Sequence, residues 1–221
     1  MTSPTTPEPF GERLAVRLST RHFRVRPSAA VRLLRRLGRI DRAAYRAIAA
    51  MHTQPLDRPL RWISNFANFS KPWFAVAGVL AVFGGARGRC AAVTGMTAIG
   101  LTSFVVNQAM KLNGERRRPD RTEQGVPESR WVRMPESTSF PSGHSASAAA
   151  FAGSVGHVLP RLKLPLRVAA VIVAFSRVYT GVHYPGDVVV GAAVGAVIGR
   201  ATSTVVALRR RAPSAHRRSS S

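Results

Sequence analysis

The stretch Ser176-Arg-Val-Tyr-Thr-Gly-Val-His183-Tyr-Pro-Gly-Asp187 runs directly into Val188-Val-Val-Gly-Ala-Ala-Val-Gly-Ala-Val-Ile-Gly-Arg-Ala-Thr-Ser-Thr-Val-Val-Ala-Leu208, which is 21 residues with a single charge. A helix rises 1.5 Å per residue, so about 20 apolar residues cross a hydrocarbon core. Val188–Leu208 is long enough to do so. Working back from it, four more apolar stretches precede: Trp73–Ala86, Cys90–Met110, Ser142–Leu159 and Leu166–Tyr179. Cys90–Met110 is also long enough, and Ser142–Leu159 qualifies if its small polar residues are counted. Trp73–Ala86 and Leu166–Tyr179 are short and need flanking residues to span. Five such stretches in succession predict an all-α fold, an integral membrane helical bundle of five to six transmembrane helices. Residues 55–71 are the candidate for the sixth, and Pro72 suits the first turn of the helix that follows. Gly191, Gly195 and Gly199 repeat every fourth residue, which clears one helix face for close approach by a neighbour.

The remainder of the chain is dominated by arginine. Of 221 residues, 33 are Lys or Arg against 10 Asp or Glu, a formal charge of +23, and only Lys71, Lys111 and Lys163 are lysines. The guanidinium fork matches phosphate oxygens in pairs, so anionic headgroups or a phosphorylated substrate are natural partners. No recognition module accompanies the charge, and nucleic acid is not expected. The single Cys90 cannot pair within the molecule, which excludes a disulfide-built scaffold. No secretory signal peptide is read, since the first adequate apolar stretch begins only near Trp73.

Outside the bundle, residues 1–27 read as a disordered basic region and residues 209–221 as a disordered basic tail. Residues 28–52 read as a basic amphipathic helix. Leu33, Leu37, Ile40, Ala44, Ile48 and Met51 make its apolar stripe, and six arginines from Arg32 to Arg46 cover the rest. Such a helix suits either anionic lipid headgroups or packing on its own protein. Residues 55–208 form the expected membrane-embedded domain.

Three polar clusters stand at the ends of the apolar stretches. Lys111 through Arg118-Pro119 closes the second stretch, Pro141-Ser142-Gly143-His144 opens the third, and Ser176–Asp187 joins the fourth to the fifth. If successive stretches alternate in direction, all three clusters reach the same membrane face. Lys111, Arg118 and Arg177 carry the charge needed to neutralise a transferring phosphoryl group. Ser142 and Gly143 sit where a helix begins, with backbone N–H groups directed at an anion. His144 and His183 are placed to divide the roles of general acid and nucleophile. Asp187 follows His183 by four residues across Pro185-Gly186, a spacing that predicts a first-turn carboxylate reaching back to the imidazole. His157, Arg161, Lys163 and Arg167 read as packing or interfacial residues.

The order and spacing K-x6-R-P (Lys111 to Pro119), P-S-G-H (Pro141 to His144) and S-R-x5-H-x3-D (Ser176 to Asp187) resemble the phosphatidic acid phosphatase type 2 superfamily over roughly residues 60–206. The resemblance implies that His183 attacks phosphorus to form a phosphohistidine, that Asp187 orients it and that His144 protonates the leaving oxygen. It further implies that Lys111, Arg118, Ser142, Gly143 and Arg177 hold the phosphate, without metal or other cofactor. The expected substrate is a lipid phosphate or diphosphate, either polyprenyl or a glycerolipid such as phosphatidic acid. Alternatives on the same site are phosphotransfer to an alcohol and vanadate-dependent haloperoxidase chemistry, and a non-enzymatic module for anionic membranes is the third class. A multi-pass plasma-membrane location is expected. The Lys and Arg of the short loops are near balance on the two faces, so they do not choose the side of the site. Only 21 residues, 120–140, separate the first two motifs, which leaves little room for a substrate-binding cap.

Overall fold

The computed structural model describes residues 28–112 and 116–211, the side chains of 109–112 and 210–211 excepted. The readings made for residues 1–27 and 212–221 therefore lie outside the described residues. The described chain is helical, with no strand among its residues: α1 (Ala29–Ala49), α2 (Gln54–Phe66), α3 (Lys71–Phe83), α4 (Gly85–Leu112), α5 (Gly143–Val158), α6 (Lys163–Tyr179) and α7 (Pro185–Arg211). Contacts divide the chain into two compact units, residues 1–39 and 40–221. The described part of the first is the beginning of α1; everything below concerns the second.

Helices α4 and α7 are long and apolar enough to cross a membrane, over Gly85–Gln108 and Pro185–Arg209. These are the two stretches whose length alone sufficed in the sequence. Of residues 55–71, those up to Phe66 lie in α2. The segment Gln54–Phe66 meets Asn68–Phe83 at a bend of 69°, and the two pass the same test only when taken together. The bend lies at Phe69 and Ser70, both in the left-handed region at φ 57° and 58°. Pro72 occupies the first turn of α3, where its missing N–H costs nothing.

Helix α5 is the centre of the bundle, packed against α4, α6 and α7. Its sequence is almost entirely small residues around Phe151 and Val155, so neighbours approach on all sides and most of the helix is buried. The glycines of α7 explain the closest of these contacts. A methyl group at Gly191, Gly195 or Gly199 would run into the backbone carbonyl of Ser142, Ala146 or Ala150, respectively. Two rows with a four-residue repeat thus lie one against the other, the close approach that the glycine spacing predicts. On the other side of α5, a side chain at Gly95 of α4 would sit 2.7 Å from the Phe151 ring. Trp73, Ala77, Ala91, Ile99, Phe151, Val155, Leu166 and Val173 complete this core.

The segment between α4 and α5 folds back over the ends of α1 and α2. Arg130 is buried, ion-paired to Asp57 at 2.9 Å and stacked 4.3 Å over the Tyr179 ring. Its guanidinium also donates to the carbonyls of Ile48, Ala49 and Met51, satisfying the end of α1. From residue 40 onward, the packed face of α1 is Asp41, Tyr45, Ile48 and Ala49, whereas Ile40 is 65% exposed and Met51 42%. The packed face is thus rotated away from the aliphatic stripe, because it includes a carboxylate and a tyrosine with partners.

Candidate active site

Three segments far apart in sequence meet at the ends of α4, α5, α6 and α7. Arg118 lies in the segment after α4, His144 in the first turn of α5, and His183 between α6 and α7; all three line one cavity of about 310 Å³ with Gly143, Asn107 and Phe69. The convergence expected from counting crossings is therefore present for these groups. Lys111 belongs to the last turn of α4, but its side chain is outside the described residues.

His183 is buried, with different partners for its two nitrogens. Nε2 lies 3.2 Å from Nη1 of Arg118, which can only donate, so Nε2 presents its lone pair there. Nδ1 faces Oδ2 of Asp187 at 3.6 Å, within ion-pair range but longer than a hydrogen bond. Loss of water on burial pushes the imidazole below its ordinary pKa; the Asp187 carboxylate opposes the fall, and Arg118 and Arg177 reinforce it. A neutral ring protonated on Nδ1 follows, with its Nε2 lone pair on the cavity side, facing Arg118.

Asp187 is fully buried in the first turn of α7, as the Pro185-Gly186 spacing predicts. Its Oδ2 accepts from the Tyr184 N–H at 2.9 Å and from the Ser139 hydroxyl. Its Oδ1 pairs with Nη1 of Arg116 at 2.8 Å. The carboxylate is thus held through both oxygens, with Oδ2 facing the imidazole.

Arg118 is anchored by carbonyls: Val182 at 2.8 Å, Ser137 at 2.8 Å and Thr138 at 3.0 Å. Arg177 is buried, and its Nη1 donates to the Ser64 carbonyl and hydroxyl at 2.9 and 2.7 Å, while its Nε has no partner among the described residues. Arg177 and Ser142 stand behind the cavity wall rather than on it. The N–H of Ser142 is not directed at an anion, a correction to the sequence reading: it donates to the Asp187 carbonyl at 3.0 Å. The Ser142 hydroxyl instead accepts from the Ser145 hydroxyl at 3.0 Å. Gly143 remains on the cavity wall at the helix start. His144 Nε2 lies 3.0 Å from Oδ1 of Asn68, to which it donates.

Sequence reasoning missed Asn68, Ser64, Ser139 and Arg116. The first three are common polar residues whose relevance only the fold reveals. Arg116 stood two residues before Arg118 in an arginine run, and spacing gave no reason to separate it from Arg117.

The PAP2 superfamily model matches residues 90–211, more than half of the chain. The chain is 33% identical over 180 residues to the decaprenylphosphoryl-5-phosphoribose phosphatase of Mycobacterium tuberculosis, covering 79% of this chain and 97% of that protein. A shorter match, 39% identical over 69 residues, links it to the lipid A 1-phosphatase of Rhizobium johnstonii, across 31% of this chain and 28% of that one. Among solved structures, the transmembrane PAP2 type phosphatidylglycerolphosphate phosphatase of Bacillus subtilis superposes with a TM-score of 0.61 at 23% identity, over 83% of this chain and 90% of that one. The family match and the relatives place the chain among membrane-type lipid phosphatases. The chain belongs to the PAP2 superfamily.

Proposed function

We propose that this protein hydrolyses a phosphate monoester carried on a polyprenyl lipid, a substrate of the kind named by decaprenylphosphoryl-5-phosphoribose, through a phosphohistidine on His183. The observation that carries the reading is the placement of His183, Arg118 and His144 around one cavity, with Asp187 behind the nucleophile. The polyprenyl class rests on the relative that is matched over 97% of its own length.

The His183 Nε2 lone pair attacks phosphorus, and the bond from phosphorus to the ester oxygen breaks. His144 enters the step as the imidazolium, with Nε2 positioned at Asn68, gives one proton to the departing oxygen and is left neutral. Water then attacks the phosphohistidine, His144 takes a proton from it, and inorganic phosphate leaves. Arg118, Lys111 and the N–H of Gly143 hold the phosphoryl oxygens, Arg177 reaches them from behind the cavity wall, and Ser142 fixes the helix start. The unpartnered, buried Nε of Arg177 supports its part, since such a donor costs stability unless an acceptor reaches it. Asp187 stabilises the imidazolium that forms during attack.

Five membrane crossings, α3 through α7, fit this arrangement in a multi-pass plasma-membrane protein. Helix α2 lies along the site-side face, because both its ends reach the last turn of α6: Thr53, its N-cap, bonds Tyr179 at 2.8 Å and Ser64 bonds Arg177. Its stacked Trp62 and Phe66 are exposed where headgroups meet acyl chains. The arginine-rich start of α1 would engage anionic headgroups.

The test is phosphate release by the detergent-purified protein in excess chelator. The substrates are decaprenylphosphoryl-5-phosphoribose, polyprenyl phosphate, polyprenyl diphosphate, phosphatidic acid and phosphatidylglycerol phosphate. Chelator-resistant release that is fastest on the phosphoribosyl lipid supports the proposal. Preference for a glycerolipid by tenfold or more removes the substrate assignment.

A further inference from the structure

We propose that Asp41, on the N-terminal helix α1, is a positioning residue for the reaction: it holds Asp187 from two directions and so sets the carboxylate that faces His183. The inference rests on the phosphohistidine reading above.

The geometry forms a closed loop of contacts. One oxygen of the Asp41 carboxylate pairs with Nη2 of Arg116, whose Nη1 pairs with Oδ1 of Asp187 at 2.8 Å. The other oxygen accepts from the N–H of Gly186 at 2.6 Å. Gly186 is the residue immediately before Asp187, so Asp41 fixes both the side chain and the backbone of that first turn of α7. Asp41 is largely withdrawn from solvent, at 11% exposure, and Asp187 is fully so. Arg116 also lies 4.6 Å over the Tyr184 ring, which leaves the guanidinium little freedom to turn away.

A small residue at 186 is part of the device. A methyl group there would sit 3.0 Å from the Asp41 carboxylate, closer than ordinary contact, so glycine allows the carboxylate to reach the N–H. Arg116 shares its charge between two carboxylates. Without Asp41 it would pair with Asp187 alone, and the negative charge available to a developing His183 imidazolium would fall. The other ionisable groups facing this cluster are Arg42 of α1, Tyr184, Arg118 and Arg177. The effect is thus read against a fixed cationic background.

Groups that orient a metal-bound histidine from one step behind change affinity or activity by ~10–100-fold when removed, and the same lever acts here on a histidine without a metal. Asp41→Asn in the full-length protein is therefore expected to lower kcat about tenfold, with KM changed less than about twofold. Because Asp187 supports the protonated imidazole, the acid limb of kcat/KM should also move to lower pH. Gly186→Ala, which displaces the carboxylate without removing it, should lower kcat in the same way. In an Asp187→Asn background, Asp41→Asn should have almost no further effect on kcat.

The probe is phosphate release from decaprenylphosphoryl-5-phosphoribose, polyprenyl phosphate and phosphatidic acid in mixed micelles, with thermal unfolding measured on each sample. If Asp41→Asn lowers the melting temperature yet keeps kcat and the acid limb, Asp41 only docks the helix and the proposal is overturned. An undiminished loss in the Asp187→Asn background also overturns it, since Asp41 would then act elsewhere. Should Asp41→Asn fail to fold, Gly186→Ala decides on the same two readouts. A wild-type protein without turnover would remove the phosphatase reading itself, whereas equal turnover of wild type and variant removes this inference alone.

Discussion

Nδ1 of His183 lies 3.6 Å from Oδ2 of Asp187, four residues further on and across the turn that starts α7. The same oxygen accepts from Ser139 and from the Tyr184 N–H, so the carboxylate is fixed before any substrate arrives. This pair leads to the first prediction. Asp187→Asn keeps the size of the side chain and removes the charge, and is expected to reduce kcat by roughly 10⁴-fold while KM changes little. Steady-state kinetics on the detergent-purified variant checks this, and a rise in KM alone would contradict the role.

The acid limb of the pH profile follows from burial. In the proposed mechanism the neutral His183 is the form that attacks, and loss of water holds its pKa below the ordinary imidazole value. The limb of kcat/KM is therefore expected at a midpoint below about 6.5. Asp187 opposes that shift, so Asp187→Asn should move the midpoint lower still. Residual activity measured across pH 4–8 (roughly the imidazole range and below) reads both signs.

Packing of α7 on α5 yields a stability prediction. Because a methyl group at Gly195 already meets the carbonyl of Ala146, Gly195→Val must push two backbones apart. Overpacking of this kind costs about 1–3 kcal/mol, with rigid backbone at the upper end. Thermal unfolding in detergent should show a clear loss for Gly195→Val, and almost none for a substitution at Gly100, which faces open space.

Asp57 and Arg130 give a further one. Both are buried, and Asp57 also accepts from Tyr179 at 2.5 Å and from Ser129. Asp57→Ala strands the Arg130 guanidinium, and breaking a buried pair from one side costs about 3–5 kcal/mol. Unfolding should therefore occur at a markedly lower temperature, whereas conversion of the pair to a matched apolar couple should recover much of the loss.

Which of these features were legible in the sequence depended on what kind of residue carried them. The bundle was legible because its helices are runs of apolar or small residues: Ser142–Leu159 became Gly143–Val158, and Leu166–Tyr179 became Lys163–Tyr179. The glycine repeat of α7 announced its own contact, since only close backbones need it. Helix α2 was less visible because its buried face is Asp57, Leu60 and Ser64, two of which count as polar until Arg130 and Arg177 are seen opposite. The packed face of α1 escaped for the same reason, with Asp41 serving Arg116 and Gly186. Motif spacing singled out His183, His144 and Arg118, which line one cavity, and Asp187, which faces His183. The N–H of Ser142 was misjudged because its partner, the Asp187 carbonyl, comes from the end of a different helix.

The most direct test of the central claim is the covalent intermediate. Rapid quenching of the protein with a phosphate-labelled polyprenyl substrate, followed by digestion at alkaline pH and mass spectrometry, reads the phosphorylated residue. The account predicts one phosphoryl group, stable in base and lost in acid, on the peptide containing His183, absent from His183→Ala and accumulating in His144→Ala if the attack of water is slowed more than the first step. Label on another residue, or full turnover by His183→Ala, would contradict it.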